Sequence, residues 1–236
     1  MSTIPTVLVT GSNRGIGLEF VRQYAADGYR VFACCRHPKE AKEASGLRQL
    51  AKEFPNIQLY LLDVANANQI QKLSDTLKNE TIDILINNAG IYGGTHQRLG
   101  DLDVENLQTV FLTNAIGPLK MAEAFRKQVA SSHLKTIVSI SSDWGSITDM
   151  DATGVYAYAM SKAALNMAMK GVSIDVRSEG IRVLIFNPGW VQTDMGGPGA
   201  TTPASTSVAG IRKVIEQKRK DWDGLFFSHT GQEMPW

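Results

Sequence analysis

Tyr158 and Lys162 stand four apart in Tyr158-Ala159-Met160-Ser161-Lys162. On a helix, positions i and i+4 share one face, so this phenol and ammonium would address a single ligand. A free phenol titrates near ~10 and is a poor proton donor or acceptor at neutral pH. A neighbouring ammonium favours the phenolate and is expected to bring that value down toward the working range. The same spacing also occurs as an ordinary surface pair. Tyr156 is a second phenol nearby, but its i+4 partner is Met160. Upstream, Val138-Ser139-Ile140-Ser141-Ser142-Asp143-Trp144-Gly145 offers three hydroxyls that could bond a carbonyl oxygen or simply serve a turn. Strand alternation predicts Ser139 and Ser141 on one face, packed against helices and tied to backbone. Ser142 is then the first to point the other way, past the strand end.

A second group of residues suits a dinucleotide. Thr10-Gly11-Ser12-Asn13-Arg14-Gly15-Ile16-Gly17 follows an apolar strand and opens a helix, in the spacing G-x-x-x-G-x-G. Glycines there permit a tight turn and let a pyrophosphate approach the helix N-terminus. A glycine-rich turn with no ligand has the same appearance. No Gly-Lys-Ser/Thr follows, so this is not a nucleotide P-loop. At the end of the second strand, where NAD-binding folds keep a carboxylate, stands Arg36. A guanidinium pairs with a 2′-phosphate through forked hydrogen bonds, and Arg14 adds a second cation. The expected cofactor is NADP(H) in preference to NAD(H), although both arginines would also be at home as solvated surface residues. Asp63 and Val64, after the third strand, could meet adenine, or Asp63 could cap the next helix. Asn87-Asn88-Ala89-Gly90 closes the fourth strand with small residues where a backbone would pass close to a ribose.

These groups need elements to hold them. Short apolar runs alternate with helical periodicity: strands at Val7–Thr10, Arg30–Cys35, Ile57–Leu62, Ile82–Ile86, Thr136–Ile140, Ile181–Phe186 and Gly224–Phe227. Between them the pattern predicts helices over Gly15–Ala26, Lys39–Glu53, Asn66–Lys78, Leu102–Val129 (with Pro118 near its middle), Val155–Arg177 and Ala209–Lys218. That order predicts an α/β fold: one Rossmann-type, doubly wound parallel sheet of about seven strands with helices on both faces. Ligands of such sheets sit beyond the carboxyl ends of the strands, where every residue named above falls. Residues 1–236 read as a single domain, and Thr193–Ser207, rich in Gly, Pro, Thr and Ser, as a mobile substrate loop.

Composition narrows the function classes. The 236 residues are 43% hydrophobic, enough for a substantial core, and carry 24 basic against 23 acidic side chains. A net charge of +1 speaks against a basic nucleic-acid binder or a disordered polyelectrolyte. The two cysteines, Cys34 and Cys35, are adjacent and make neither a disulfide framework nor a metal-ligand spacing. His96 and His133 have no metal-like partners, so no metal is expected. With no signal-peptide pattern and no apolar run near the ~20 residues of a membrane span, the expected location is the cytoplasm.

Thr-Gly-x-x-x-Gly-x-Gly at 10–17, Asn-Asn-Ala-Gly at 87–90, Ser142 with Tyr158-x-x-x-Lys162, and Pro188-Gly189 occur in an order that resembles the short-chain dehydrogenase/reductase family. Thr10–Leu18, the Tyr156–Lys162 stretch, Asn187–Gly197 and the final Met234-Pro235-Trp236 are closer to its sniffer-type carbonyl reductases and C-factor-like proteins. The resemblance implies Tyr158 as general acid, Lys162 as modulator of the phenol and holder of the nicotinamide ribose, and Ser142 as polariser of the carbonyl. It further implies Asn114 as the anchor of a water in a proton relay, and Pro188, Gly189, Val191 and Thr193 as contacts of the nicotinamide carboxamide. The interval from Ser142 to Tyr158 is longer than usual there, the excess falling in Ile147–Thr153, an enlarged loop over the substrate. The expected substrate is a small or apolar aldehyde or ketone, with Trp144, Met150, Trp190 and Met195 either lining an apolar pocket or anchoring loops. By analogy the long helices would pair into a homo-oligomer, a dimer or tetramer. The alternative is a C-factor-like signalling protein that binds dinucleotide with little turnover. A sugar-nucleotide epimerase is disfavoured because only 47 residues follow Gly189.

Overall fold

Seven short strands, the inner ones buried on both faces, come together edge to edge in the computed structural model, which describes residues 4–38, 46–217 and 220–236. The chain runs β1 (Thr6–Thr10), α1 (Gly15–Ala26), β2 (Arg30–Cys35), α2 (Leu47–Glu53), β3 (Ile57–Leu61), α3 (Ala67–Thr76) and β4 (Ile84–Asn87). A small hairpin of β5 (Gln97–Arg98) and β6 (Asp101–Leu102) follows, then α4 (Val104–Phe111), α5 (Gly117–Ala130), β7 (Thr136–Ile140), α6 (Tyr156–Asp175), β8 (Arg182–Asn187), α7 (Ala204–Glu216) and β9 (Leu225–Ser228). The sheet order is β3-β2-β1-β4-β7-β8-β9, parallel throughout. Strand order therefore reverses between β1 and β4, and the crevice opens beyond their carboxyl ends.

Alternation along each strand feeds two cores. Leu8 and Phe32 face Met121, Phe125, Leu165 and Met169, the layer of α5 and α6. Val7, Val9 and Val31 face Phe20, Val21, Leu47, Ile211 and Val214, the layer of α1, α2 and α7. Each fully buried side chain of this kind is worth about 1.5–3 kcal/mol, and burial of both faces explains the near-continuous apolar runs. This is the single-domain doubly wound sheet that the alternation predicts.

Several boundaries differ from the expectation. The long Leu102–Val129 helix is two helices joined by a π turn at Leu112–Ile116. That wider turn absorbs Pro118, whose missing N–H cannot join a regular ladder. The last helix starts at Ala204, so the segment expected as a loop to Ser207 ends at Pro203. Inside that segment Val191 bridges Thr202, and Gln192 N–H donates to the Thr202 carbonyl at 2.9 Å. The hairpin was not expected, because two-residue strands show no periodicity. Of the helix predicted over Lys39–Glu53, only Leu47–Glu53 is observed; 39–45 lie outside the described residues, as does Lys218.

After β9 the chain reverses at Gly231 and returns along its outer side, with Phe227 opposite Glu233 and the Met234 N–H donating to the Phe226 carbonyl at 2.8 Å. Trp236 stacks on Phe226, and its carbonyl accepts from both the N–H and the hydroxyl of Thr148. The enlarged 147–153 loop is thereby fastened at one point.

Candidate active site

The glycine loop is packed so closely that side chains are excluded. A Cβ on Gly17 would lie 2.2 Å from the Gly11 carbonyl oxygen, and one on Gly11 would lie 2.8 Å from the Ala89 Cα. Asn88 fastens this approach: its side-chain amide donates to the Thr10 and Gly11 carbonyls at 2.9 and 3.2 Å. The N–H groups of Asn88 and Ala89 both donate to the Thr10 hydroxyl at 3.0 Å. The crevice floor is thus a backbone surface joining β1 and β4. Ser12 is fully buried, its hydroxyl donating to the Cys34 carbonyl at 3.0 Å, so it braces the loop instead of reaching outward. Asn13 and Ile16 are partly exposed beside Gly15, against which the Thr193 methyl packs.

Arg36 is exposed immediately past β2, and Arg14 is exposed in the loop, its guanidinium 3.5 Å from Asp194. Asp63 closes a turn by accepting from the Ala65 N–H, while α3 is capped by Asn66, which settles that helix start in favour of the asparagine. Val64 turns its side chain inward. Pro188 and Val191 are buried, with Gly189 at φ +80° between them.

At the other end of the crevice Tyr158 lies in the first turn of α6. Its ring is 6.0 Å from that of Trp144 and 5.5 Å from that of Tyr92. Burial pushes the phenol up to about 12; its hydrogen bond with Ser142 pulls the other way, and Asp143 and Tyr92 add to the rise. Here burial outweighs the expected depression by Lys162 and leaves the phenol above its ordinary value. Lys162 is itself buried, which lowers its pKa to about 8. Its Nζ donates to the Ile140 carbonyl at 2.8 Å and lies 5.4 Å from the Tyr158 ring centre. Tyr156 is exposed on the other side of the helix start.

The serines separate as predicted, with one correction. Ser142 bonds the Tyr158 phenol and Asp143. Ser141 and Ser139 are held by side chains, not by backbone: the Ser141 hydroxyl donates to Asn166 Oδ1 at 2.6 Å, and Ser139 accepts from Asn87 at 3.4 Å. Asn166 also donates to the Gly145 carbonyl, so it holds both ends of the Ser142 turn. The i, i+4, i+8 row of Tyr158, Lys162 and Asn166 was the sequence signal for this residue, and it was missed.

Asn114 sits in the π turn, fully buried. Its Oδ1 accepts from the Ile91 N–H at 2.9 Å; its amide donates to the Ile91 carbonyl at 2.8 Å and to Ser161 Oγ at 3.0 Å. With these three bonds Asn114 splints the strip after Gly90 to α6. Trp190 is mostly exposed, packs over Gly199 and donates to the Gly196 carbonyl, so it anchors its loop; Met150 and Met195 are exposed. Among the described residues no cluster could hold a metal, and no helix is long and apolar enough to cross a membrane.

Residues 5–203 match the family described as short chain dehydrogenase. The chain belongs to that family. This short-chain dehydrogenase is an oxidoreductase by membership. It is 44% identical to the C-signal protein of Myxococcus xanthus over 155 residues, covering 66% of this chain and 93% of that one. Its fold matches an NADPH-bound carbonyl reductase from chicken fatty liver with a TM-score of 0.90 at 34% identity, over 100% of both chains. The carbonyl reductase Sniffer of D. melanogaster matches with a TM-score of 0.90 at 31% identity, over 99% of this chain and 100% of that one.

Proposed function

We propose that this short-chain dehydrogenase is an NADP(H)-dependent carbonyl reductase of small or apolar aldehydes and ketones. The observation that carries the reading is the Tyr158 phenol: bonded to Ser142, flanked by two aromatic rings and backed by the buried Lys162. The tight turn supports a dinucleotide site, because Gly11 and Gly17 let β1, the helix start and Ala89 close up into a side-chain-free backbone surface, and Gly90 brings its backbone against Asn114 and Lys162. Gly11, Asn13, Gly15, Ile16, Asn88, Ala89 and Gly90 would line it, with Gly189 and Thr193 at the nicotinamide end. Arg36 and Arg14 would take the 2′-phosphate. When bound, NADPH supplies the hydride.

The chain's own residues do the rest. Ser142 hydrogen-bonds the substrate carbonyl oxygen and polarises it. Tyr158 donates the phenolic proton to that oxygen as negative charge develops. Lys162 steadies the phenolate so formed and holds the ribose hydroxyls. Tyr92 and Trp144 exclude water and favour an apolar substrate. Exposed Leu112, Ile116 and Leu119 on one helix run, with Met160, Met167 and Ile174 on α6, support pairing of two copies. Cys34 and Cys35, both free, suit a reducing compartment such as the cytoplasm.

The test is NADPH consumption over a panel of aldehydes and ketones. Tyr158→Phe should lose at least about 10²-fold in kcat while binding NADPH as before. Loss on Tyr156→Phe with Tyr158→Phe intact would overturn the assignment. The likeness to C-signal supports a second reading, a dinucleotide-binding signalling protein; binding of NADPH without turnover of any carbonyl would favour it.

A further inference from the structure

The helix that presents Tyr158 has no cap of its own. Val155 precedes it and makes no side-chain bond to its first turn. The Tyr158 N–H is one of the amides that a helix start leaves without an intrahelical partner. Its partner comes from 61 residues upstream: Gln97 Oε1 accepts it at 3.0 Å. Gln97 is fully buried. Its Nε2 donates to the Tyr92 carbonyl at 2.8 Å and to the Gly94 carbonyl at 3.0 Å. The reversed amide would set two donors face to face and two acceptors against a third, so this network fixes its orientation.

The two things that Gln97 joins are the acid and its wall. Tyr92 begins a turn in which Gly93 and Gly94 both have positive φ, +91° and +71°, and its ring lies against those of Tyr158 and Trp144. The hairpin touches the approach to α6 a second time, where Arg98 packs so closely over Gly154 that a Cβ there would lie 2.9 Å from its side chain.

We propose that Gln97 is a positioning residue for the reaction: it clamps the backbone of Tyr158 to the turn bearing Tyr92, and so sets the width of the slot between the proton donor and the aromatic wall. The proposal rests on the reading of Tyr158 as acid. Two consequences follow. Loss of the clamp misplaces the phenol without disturbing the glycine loop, which Gln97 does not touch. It also widens the slot, which matters more for a planar aryl aldehyde than for a short aliphatic one.

The variant is Gln97→Met, which keeps volume and removes all three bonds. The matched control is Gln128→Met. Gln128 is buried, donates to Ser74 at 3.1 and 3.2 Å, and lies in α5 away from the crevice. Gln97→Met should lose about 10- to 100-fold in kcat with NADPH affinity unchanged, and its preference for benzaldehyde over propanal should shrink. Gln128→Met should lower the melting temperature but leave kcat and the preference as in the wild type. Independently of turnover, the Tyr158 amide should exchange with deuterium faster in Gln97→Met than in Gln128→Met. Wild-type kcat in Gln97→Met, or losses that merely track those of Gln128→Met, would overturn the proposal. So would unchanged protection of the Tyr158 amide. Faster exchange in a protein whose wild type reduces no carbonyl would instead retire the acid reading and leave the clamp itself standing.

Discussion

Ser141 and Ser142 are neighbours with the same side chain, and the geometry gives them opposite mutational signatures. Ser142→Ala deletes the hydroxyl bonded to the Tyr158 phenol. Removing one preorganised donor to a developing oxyanion costs about 10²–10³ in kcat, or about 2.7–4 kcal/mol of transition-state stabilisation. Stability should hardly change, because the Trp144 N–H that Ser142 receives keeps a bond to Asp143 at 3.0 Å. Ser141→Ala removes instead the buried donor to Asn166 Oδ1. The orphaned carbonyl costs about 1–3 kcal/mol, and at this chain length each kcal/mol lowers Tm by about 2–4 °C. Ser141→Ala should therefore melt about 2–12 °C lower yet keep kcat within several-fold at assay temperature. Initial rates of NADPH oxidation at saturating aldehyde, with calorimetric melting of the same samples, measure both quantities. An inactive Ser141→Ala with native Tm, beside an active Ser142→Ala, would refute the reasoning and move the carbonyl contact back one residue.

Arg36→Asp should reverse cofactor preference, since a forked contact to a 2′-phosphate is worth roughly 1.5–3 kcal/mol, about 10- to 100-fold; dissociation constants for NADPH and NADH that are equal in the wild type would defeat the expectation. Burial lowers the Lys162 pKa to about 8, below the usual lysine value of 10.5, so its charge is present below about pH 8 and lost above. The kcat/KM for reduction should then fall as pH rises through about 8, whereas a profile flat to about pH 10 would show the ammonium to be dispensable. Across that interval the unfolded chain holds a proton that the folded chain lacks, so this group makes stability rise with pH.

Gly15–Ala26, Arg30–Cys35 and Thr136–Ile140 were legible to the residue, because a change of period coincides there with glycine or strand-end punctuation. The π turn was not, since one extra residue in a helix leaves the apolar period nearly intact over a short window. In the candidate site, residues inside contiguous motifs could be singled out from spacing and resemblance. Those that hold them could not: Gln97, Tyr92 and Ser161 reach Tyr158 or Asn114 through folding, and nothing local marks a glutamine as the cap of a helix 61 residues on. The sign of the Tyr158 shift failed for a related reason. Spacing places a lysine near a phenol but says nothing of how much water each has lost.

The strand Leu225–Ser228 ends the sheet, and its sequence, Leu-Phe-Phe-Ser, would make an adhesive border if left open. The returning segment that pairs Phe227 with Glu233 and lays Trp236 on Phe226 covers it. An uncovered apolar edge is a template for strand addition by another chain. Because the same segment holds Thr148, peeling it away would loosen the 147–153 loop and expose an aggregating edge in one event. Heat inactivation of this protein should therefore be accompanied early by self-association, with solubility and catalysis lost together.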